Sequence, residues 1–388
     1  MSRRDEVEMG KPDGGVNVAI LGATGRVGQE LLKVLEQRNF PIAGLKLLAS
    51  ARSKDATIKF KGKTYPVEEP SADAFKGVHI VLSSAGEAIS KEWVPVAVEQ
   101  GAVVIDNTNA YRMEPTVPLV VPEVNAHALH EHNGIIANPN CSTAQLVVVL
   151  KPLHEAAGLK RVIVSTYQSV SGAGKEAMDE LALQTKAVIN DEEYKPQIFQ
   201  RQIAFNLIPH IDKFLDNGYT KEEMKVVHES RKMLEIPDLA ITCTAVRVPV
   251  VIGHSESVTI DLERPLSPAQ AREILSDSPA VEIWDNPDEA LYPTPVEAAG
   301  EDPVYVGRIR RDTSSETGLN LWVVADNLRI GAALNAVRIA EYLLAKNLLG
   351  KKENRWDVPI QQRCTMPKIS GEVVPYERSS VKSKGDLD

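Results

Sequence analysis

Among the residues that could do chemistry, Cys141 has the most telling setting. It follows Asn138, Pro139 and Asn140 and precedes Ser142, Thr143 and the apolar run at 146–150. Proline interrupts a strand and the apolar run fills a buried helix, so Cys141 is expected at a strand-to-helix junction. There the positive end of the helix dipole should pull the thiol below its usual pKa of ~8.5 and raise the thiolate fraction. That describes a nucleophile. Cys243, inside the apolar strand at 242–250, and Cys364, in a polar C-terminal stretch, lack such a setting. Odd in number and widely spaced, the three cysteines indicate neither a disulfide framework nor a metal site, and an intracellular, by default cytoplasmic, chain is expected.

A second pattern lies near the start. Gly22, Ala23, Thr24, Gly25, Arg26, Val27 and Gly28 directly follow the β-branched run at 16–21 and lead into Leu31 and Leu35 at helical spacing. Strand, tight turn and helix in that order let the backbone approach a pyrophosphate, whose charge the helix N-terminus stabilises. The spacing departs from G-x-G-x-x-G, and a plain tight turn is the alternative. Farther on, where an NAD site would place a carboxylate, the chain reads Ser50, Ala51, Arg52, Ser53, Lys54. A guanidinium and two hydroxyls suit a 2′-phosphate, which favours NADP, although Arg52 could also be a solvated loop charge.

These groups need a scaffold. With 388 residues, 43% hydrophobic and 25% charged, the chain has ordinary globular composition and room for two domains. A net charge of -9 disfavours nucleic acid or an anionic membrane as the main partner. No stretch approaches the ~20 apolar residues that span a bilayer. Apolar runs at 45–49, 78–82 and 103–105 join 16–21 as buried parallel strands, so residues 16–140 read as a doubly wound, Rossmann-type α/β dinucleotide-binding domain. Strands at 161–166, 242–250, 257–262, 304–309 and 319–325, joined by long polar connections, make 141–329 an α+β domain with a mixed, largely antiparallel sheet. A long amphipathic helix is expected at 330–349. Residues 1–15 read as a disordered leader and 350–388 as an extended or disordered tail.

Taken in order, the 22–28 turn, Asn138-Pro-Asn-Cys-Ser-Thr143, Gln168-Ser-Val-Ser-Gly-Ala-Gly174, Glu222-Glu-Met-Lys225, and Arg247 with Gly253-His-Ser-Glu256 resemble the aspartate-semialdehyde dehydrogenase family over about 16–349. The resemblance implies NADPH-dependent reduction of β-aspartyl phosphate to aspartate β-semialdehyde with release of phosphate, on the branch to lysine, threonine, methionine and the cell-wall precursor diaminopimelate. It implies that Cys141 carries a thioester, that His254 exchanges protons with the adduct, and that Gln168 positions it. By the same resemblance Arg112 and Lys225 bind phosphate, Arg247 clamps the α-carboxylate, and Glu222 meets the α-ammonium. Ser171, Gly172 and Asn327 would face the cofactor, and Lys175 the phosphate. The 330–349 helix would return to the first domain and the 141–329 domain would form a homodimer.

Blander alternatives stand beside each residue: a surface charge for Arg112 or Arg247, a hydrogen-bonded loop histidine for His254, a strand-end amide for Gln168, an intrahelical salt bridge for Glu222 and Lys225. N-acetyl-glutamyl-phosphate reductase shares the reaction type, but an acetylated amine gives Glu222 no positive charge to pair with. A phosphorylating sugar-aldehyde dehydrogenase and a nucleotide-binding paralogue without catalysis complete the alternatives.

Overall fold

The computed structural model describes residues 15–53 and 55–349; the readings for the leader to residue 14, for Lys54, for Cys364 and for the tail from 350 lie outside them. The run at 16–21 forms β1 (Val16–Leu21), which is central and buried at every residue but Asn17. The turn at Gly22 leads into α1 (Arg26–Gln37), which buries Leu31, Leu32, Val34 and Leu35 against the sheet. The chain continues through β2 (Ile42–Leu48), β3 (Thr57–Phe60), β4 (Lys63–Glu68), β5 (Ile80–Ser83), α2 (Glu87–Glu99), β6 (Val103–Asp106), α3 (Pro122–Asn125) and β7 (Ile135–Ala137). The order β3-β4-β2-β1-β5-β6-β7 is parallel except for the β3/β4 pair. That hairpin and β7 escape the sequence reading: in β3 and β4 alternate residues face water, and β7 is three residues long.

Next come α4 (Cys141–Ala157), β8 (Leu159–Gln168), α5 (Lys175–Ile189), α6 (Lys221–Leu234), β9 (Ala240–Arg247), β10 (His254–Leu262), α7 (Pro268–Ser276), β11 (Val281–Ile283), α8 (Pro295–Ala298), β12 (Val304–Arg311), β13 (Gly318–Ala325) and α9 (Leu334–Ala345). The second sheet runs β11-β12-β13-β10-β8-β9 and is mixed: β8/β9 and β11/β12 are parallel, the other pairs antiparallel. Strand β9 stops at Arg247 rather than 250 because Pro249 cannot donate to a ladder. Buried nearly all round, α4 packs in one apolar cluster that reaches Ala19 and Leu21 on one side and Val164 and Val258 on the other.

The expected helix at 330–349 is shorter and begins irregularly. A π-helical turn, Arg329–Ala333, precedes α9, and Asn347 in a left-handed conformation ends the element early. Leu334, Val337 and Leu343 pack with Leu31 and Leu35, so α9 covers the first sheet as the resemblance implied. Among the described residues no helix is long and apolar enough to cross a membrane.

Candidate active site

Cys141 is the first residue of α4. Its cap is Asn140, whose Oδ1 accepts from the backbone N–H of Ser142 at 3.0 Å and of Thr143 at 3.3 Å. The π-helical turn before α9 closes over the same point. A Cβ on Gly331 would lie 2.6 Å from Cys141 Cβ, so only glycine lets that turn seat there.

Three strand ends supply the groups that face the thiol. Gln168 ends β8, Arg247 ends β9 in register with it, and His254 opens β10, which runs antiparallel to β8. His254 Nε2 lies 3.3 Å from Cys141 Sγ. Gln168 Nε2 donates to Glu222 Oε1 at 3.1 Å, and Arg247 Nη1 donates to the Ser169 carbonyl at 2.7 Å. Residues scattered from 141 to 254 thus meet because one end of the second sheet abuts one helix terminus.

Helix α6 builds the far wall. Glu222 and Glu229 are two turns apart on one face, both buried, and both grip Asn140. Asn140 Nδ2 donates to Glu222 Oε1 at 2.8 Å, and its backbone N–H donates to Glu229 Oε2 at 2.6 Å. Lys225 Nζ donates to Glu222 Oε2 at 3.0 Å and to Asp212 at 2.9 Å. Arg112 donates to Glu229 Oε1 at 3.1 Å, to the Asn138 carbonyl at 2.9 Å and to the Asn107 carbonyl at 2.8 Å. Those bonds take three of its five N–H groups and leave two for an anion. Lys232 Nζ holds the Arg112 loop by donating to the carbonyls of Arg112, Glu114 and Val117.

The expected low thiol pKa is corrected here. Burial pushes Cys141 up to about 12, Glu222 adds to this, and Arg247 and Arg112 only partly oppose it. The Ser142 N–H at the helix terminus still pulls the thiol down, but burial outweighs it. Burial, then Arg247, takes His254 down to about 3. Burial would raise Glu222, yet Lys225 and the hydrogen bonds from Asn140 and Gln168 bring it down to about 2. At neutral pH the resting pair is therefore a thiol beside an uncharged imidazole, next to an ionised carboxylate.

The nucleotide end lies at the start of α1. Gly22 has φ +94°, and a Cβ there would meet the Ala85 backbone at 2.9 Å; one on Gly28 would lie 2.3 Å from the Gly22 carbonyl oxygen. Ala23 is buried, Thr24, Gly25 and Arg26 are exposed, and Val27 is half-buried. Thr24 Oγ1 is 3.1 Å from Ser53 Oγ, which joins the glycine turn to the Ser50–Ser53 segment. Ser50 and Arg52 are exposed. Ser50 and Ser53 line a cleft with Asp55, Glu68 and Glu69. Asp55 lies two residues beyond Ser53 in the loop before β3, whereas Glu68 ends β4 and Glu69 follows it. Ser171 is buried with its hydroxyl 3.1 Å from Asn327 Oδ1, whereas Gly172 and Lys175 are exposed, the latter opening α5. Asn140, Ser169, Glu229, Lys232 and Gly331 were not anticipated; only Glu229 had a local signal, seven residues after Glu222 on one helix.

A glycine turn on a Rossmann-type sheet beside a helix-mounted thiol defines the class of nicotinamide-dependent aldehyde dehydrogenases. Family profiles agree: residues 17–132 match the semialdehyde dehydrogenase NAD binding domain and 150–330 the semialdehyde dehydrogenase dimerisation domain. The aspartate-semialdehyde dehydrogenase of Bacillus subtilis (strain 168) is 52% identical over 343 residues, 86% of this chain and 99% of that one. A crystal structure of aspartate semialdehyde dehydrogenase II from Vibrio cholerae, complexed with ASA, superposes with a TM-score of 0.83 at 50% identity, over 85% of this chain and 98% of that one. The Candida albicans enzyme, solved with NADP, gives a TM-score of 0.67 at 26% identity, over 86% of this chain and all (100%) of that one. The chain belongs to the aspartate-semialdehyde dehydrogenase family.

Proposed function

We propose that the chain is an NADP-dependent aspartate-semialdehyde dehydrogenase that reduces β-aspartyl phosphate to aspartate β-semialdehyde. The observation that carries this reading is Cys141 Sγ at 3.3 Å from His254 Nε2, with Arg247, Arg112 and Glu222 acting on the thiol and Lys225 paired to Glu222. A substrate with a phosphate, a carboxylate and an ammonium needs that charge set. Arg112 and Lys225 take the phosphate, Arg247 the α-carboxylate, and Glu222 the α-ammonium.

Cys141 sulfur attacks the acyl carbon; the C–S bond forms, the C–O bond to phosphorus breaks, and the thiol proton leaves with phosphate as hydrogen phosphate. A reduced nicotinamide, when bound, supplies hydride to the Cys141 thioester. His254 and Gln168 donate hydrogen bonds to the oxygen on which charge then develops. Breaking the C–S bond frees the aldehyde, and Cys141 takes up one proton.

Thr24, Ser53 and Arg52 support NADP over NAD, and the Candida albicans relative with NADP agrees with it. Asp55, Glu68 and Glu69 in the neighbouring cleft favour NAD as the second reading. The dimerisation-domain match supports a homodimer, as do Leu183, Ile189, Phe205 and Leu207, large apolar side chains exposed in the single chain. A free Cys141 thiol fits the reducing cytoplasm. The test is phosphate-dependent reduction of NADP with aspartate semialdehyde, run beside N-acetyl-glutamate semialdehyde. Preference for the N-acetyl substrate would overturn the assignment.

A further inference from the structure

The segment 326–335 runs past the nucleophile and is tied down along its length. Asp326 accepts from the Gly300 N–H at 2.7 Å and from the Leu328 N–H at 2.8 Å. Asn327 Oδ1 accepts from the Ser169 and Ser171 hydroxyls at 3.1 Å and from the Gly253 N–H at 3.0 Å. The π-helical turn follows, with the Ala333 N–H donating to the Leu328 carbonyl at 2.9 Å. Within it Gly331 abuts Cys141: a Cβ there would lie 2.8 Å from Cys141 Cα as well as 2.6 Å from its Cβ. Beyond the turn, Asn335 Nδ2 donates to Asn138 Oδ1 at 2.7 Å and to the Val120 carbonyl at 2.8 Å.

Arg329 opens that turn and is buried, and its guanidinium reaches α1. Nη1 donates to Glu30 at 2.8 Å, Nη2 to Gln37 at 2.9 Å and Nε to Asp302 at 2.8 Å. Glu30 and Gln37 stand two turns apart on α1, the helix that begins at the glycine turn, and Asp302 lies two residues beyond Gly300, which Asp326 holds. Desolvation offsets much of the attraction in a buried charge cluster, so what these directional bonds supply is geometry. A π-helical turn is a rare interruption of a helix. Here its first residue is clamped to the nucleotide helix and its third is seated on the nucleophile.

We propose that Arg329 is a positioning residue for Cys141: by binding Glu30 and Gln37 of α1 together with Asp302, it fixes the π-helical turn and with it the seat of Gly331 on the nucleophile. This deepens the reading of Cys141 given above and rests on it. Without the clamp the turn is free to shift, and Cys141 gains solvent and loses its fixed direction toward the acyl carbon.

Alkylation by iodoacetamide, followed peptide by peptide by mass spectrometry on the full chain without substrate, reads this seat. Cys243, buried in β9, is the internal measure of general unfolding. In Arg329→Met, Cys141 should be alkylated faster by on the order of tenfold while Cys243 keeps its wild-type rate, because the opening is local. Glu30→Gln keeps the size and an accepting oxygen and loses only the charge, so it should fold as the wild type does and show the same selective rise, roughly threefold. With aspartate semialdehyde, kcat of Arg329→Met should fall by on the order of ten- to a hundredfold with KM changed less, the mark of a misdirected nucleophile. An unchanged Cys141 rate in either variant would leave the seat to Asn335 and overturn the proposal. Equal acceleration of Cys141 and Cys243, or a Cys141 freed with kcat intact, would overturn it too. Absence of turnover in the wild type would sink the substrate reading alone, because alkylation needs no turnover.

Discussion

Two helix N-termini stand at the two candidate sites of this protein, and they are built in opposite ways. The start of α1 has no side-chain cap; Gly25 stands at the cap position and Thr24, Gly25 and Arg26 are exposed. The start of α4 is closed: Asn140 takes the first N–H groups, Glu222 and Glu229 hold Asn140, and Gly331 presses on Cys141. An open terminus leaves its N–H groups and dipole for an incoming anion. A capped one has that pull on its own thiol outweighed by burial and gains a rigid mount for it. The difference teaches that the same local motif, strand to turn to helix, makes a binding site or a fixed nucleophile according to what fills the cap.

If α4 is a rigid mount for one nucleophile, the largest effect should come from the sulfur itself. Cys141→Ser is expected to lower turnover by on the order of a thousandfold or more while NADP binding by fluorescence titration stays near wild type, because serine keeps the size and loses the nucleophile. A serine variant retaining a tenth of the activity would break the contrast between the two termini.

The cage comes next. Glu222→Gln should weaken catalytic efficiency with aspartate semialdehyde by on the order of ten- to a hundredfold, since a charge-assisted bond of ~1.5–3 kcal/mol to the α-ammonium becomes neutral. Unchanged efficiency would leave Glu222 as a structural partner of Lys225, Asn140 and Gln168 only. The carboxyl also carries a pH signature. Its folded pKa is depressed from 4.5 to about 2, so its contribution to stability is complete above about pH 4.5 and is lost as pH falls toward 2. Acid titration of folding by circular dichroism should therefore be shallower in this window for Glu222→Gln than for the wild type. Equal slopes would contradict the ionised, buried carboxylate.

The two termini also differed in how far they could be read from residue order. Gly22 to Gly28 declares itself locally, because strand, turn and helix are neighbours in the chain, and Cys141 is recognisable for the same reason. What surrounds Cys141 is tertiary. Glu229 reaches Asn140 across 89 positions, and Gly331 closes on Cys141 only because α9 returns to the first sheet. Local pattern reading could place the thiol on a helix terminus but not see the tertiary packing that buries it, so it expected the opposite direction for the thiol pKa. Glu68 and Glu69 were invisible near Ser50 for a similar reason, since β4, which brings them there, has no continuous apolar run; Asp55 was legible, two residues beyond Ser53.

The smallest effect is expected at the open terminus. Arg52→Ala should raise the apparent Michaelis constant for NADP by roughly three- to tenfold and leave that for NAD nearly unchanged, the scale of one exposed charge-assisted contact. Equal changes for both cofactors would remove Arg52 from 2′-phosphate recognition and strengthen the reading of the neighbouring carboxylates as the ribose partners.

The central claim is that Cys141 carries the acyl group, and mass spectrometry tests it most directly. Enzyme mixed with aspartate semialdehyde and NADP without phosphate, then quenched in acid and digested, should yield the Cys141 peptide bearing an aspartyl thioester. Added phosphate should discharge that adduct as NADPH accumulates. An adduct on Cys243 or Cys364, or phosphate-dependent turnover with Cys141 left unmodified throughout, would contradict the account.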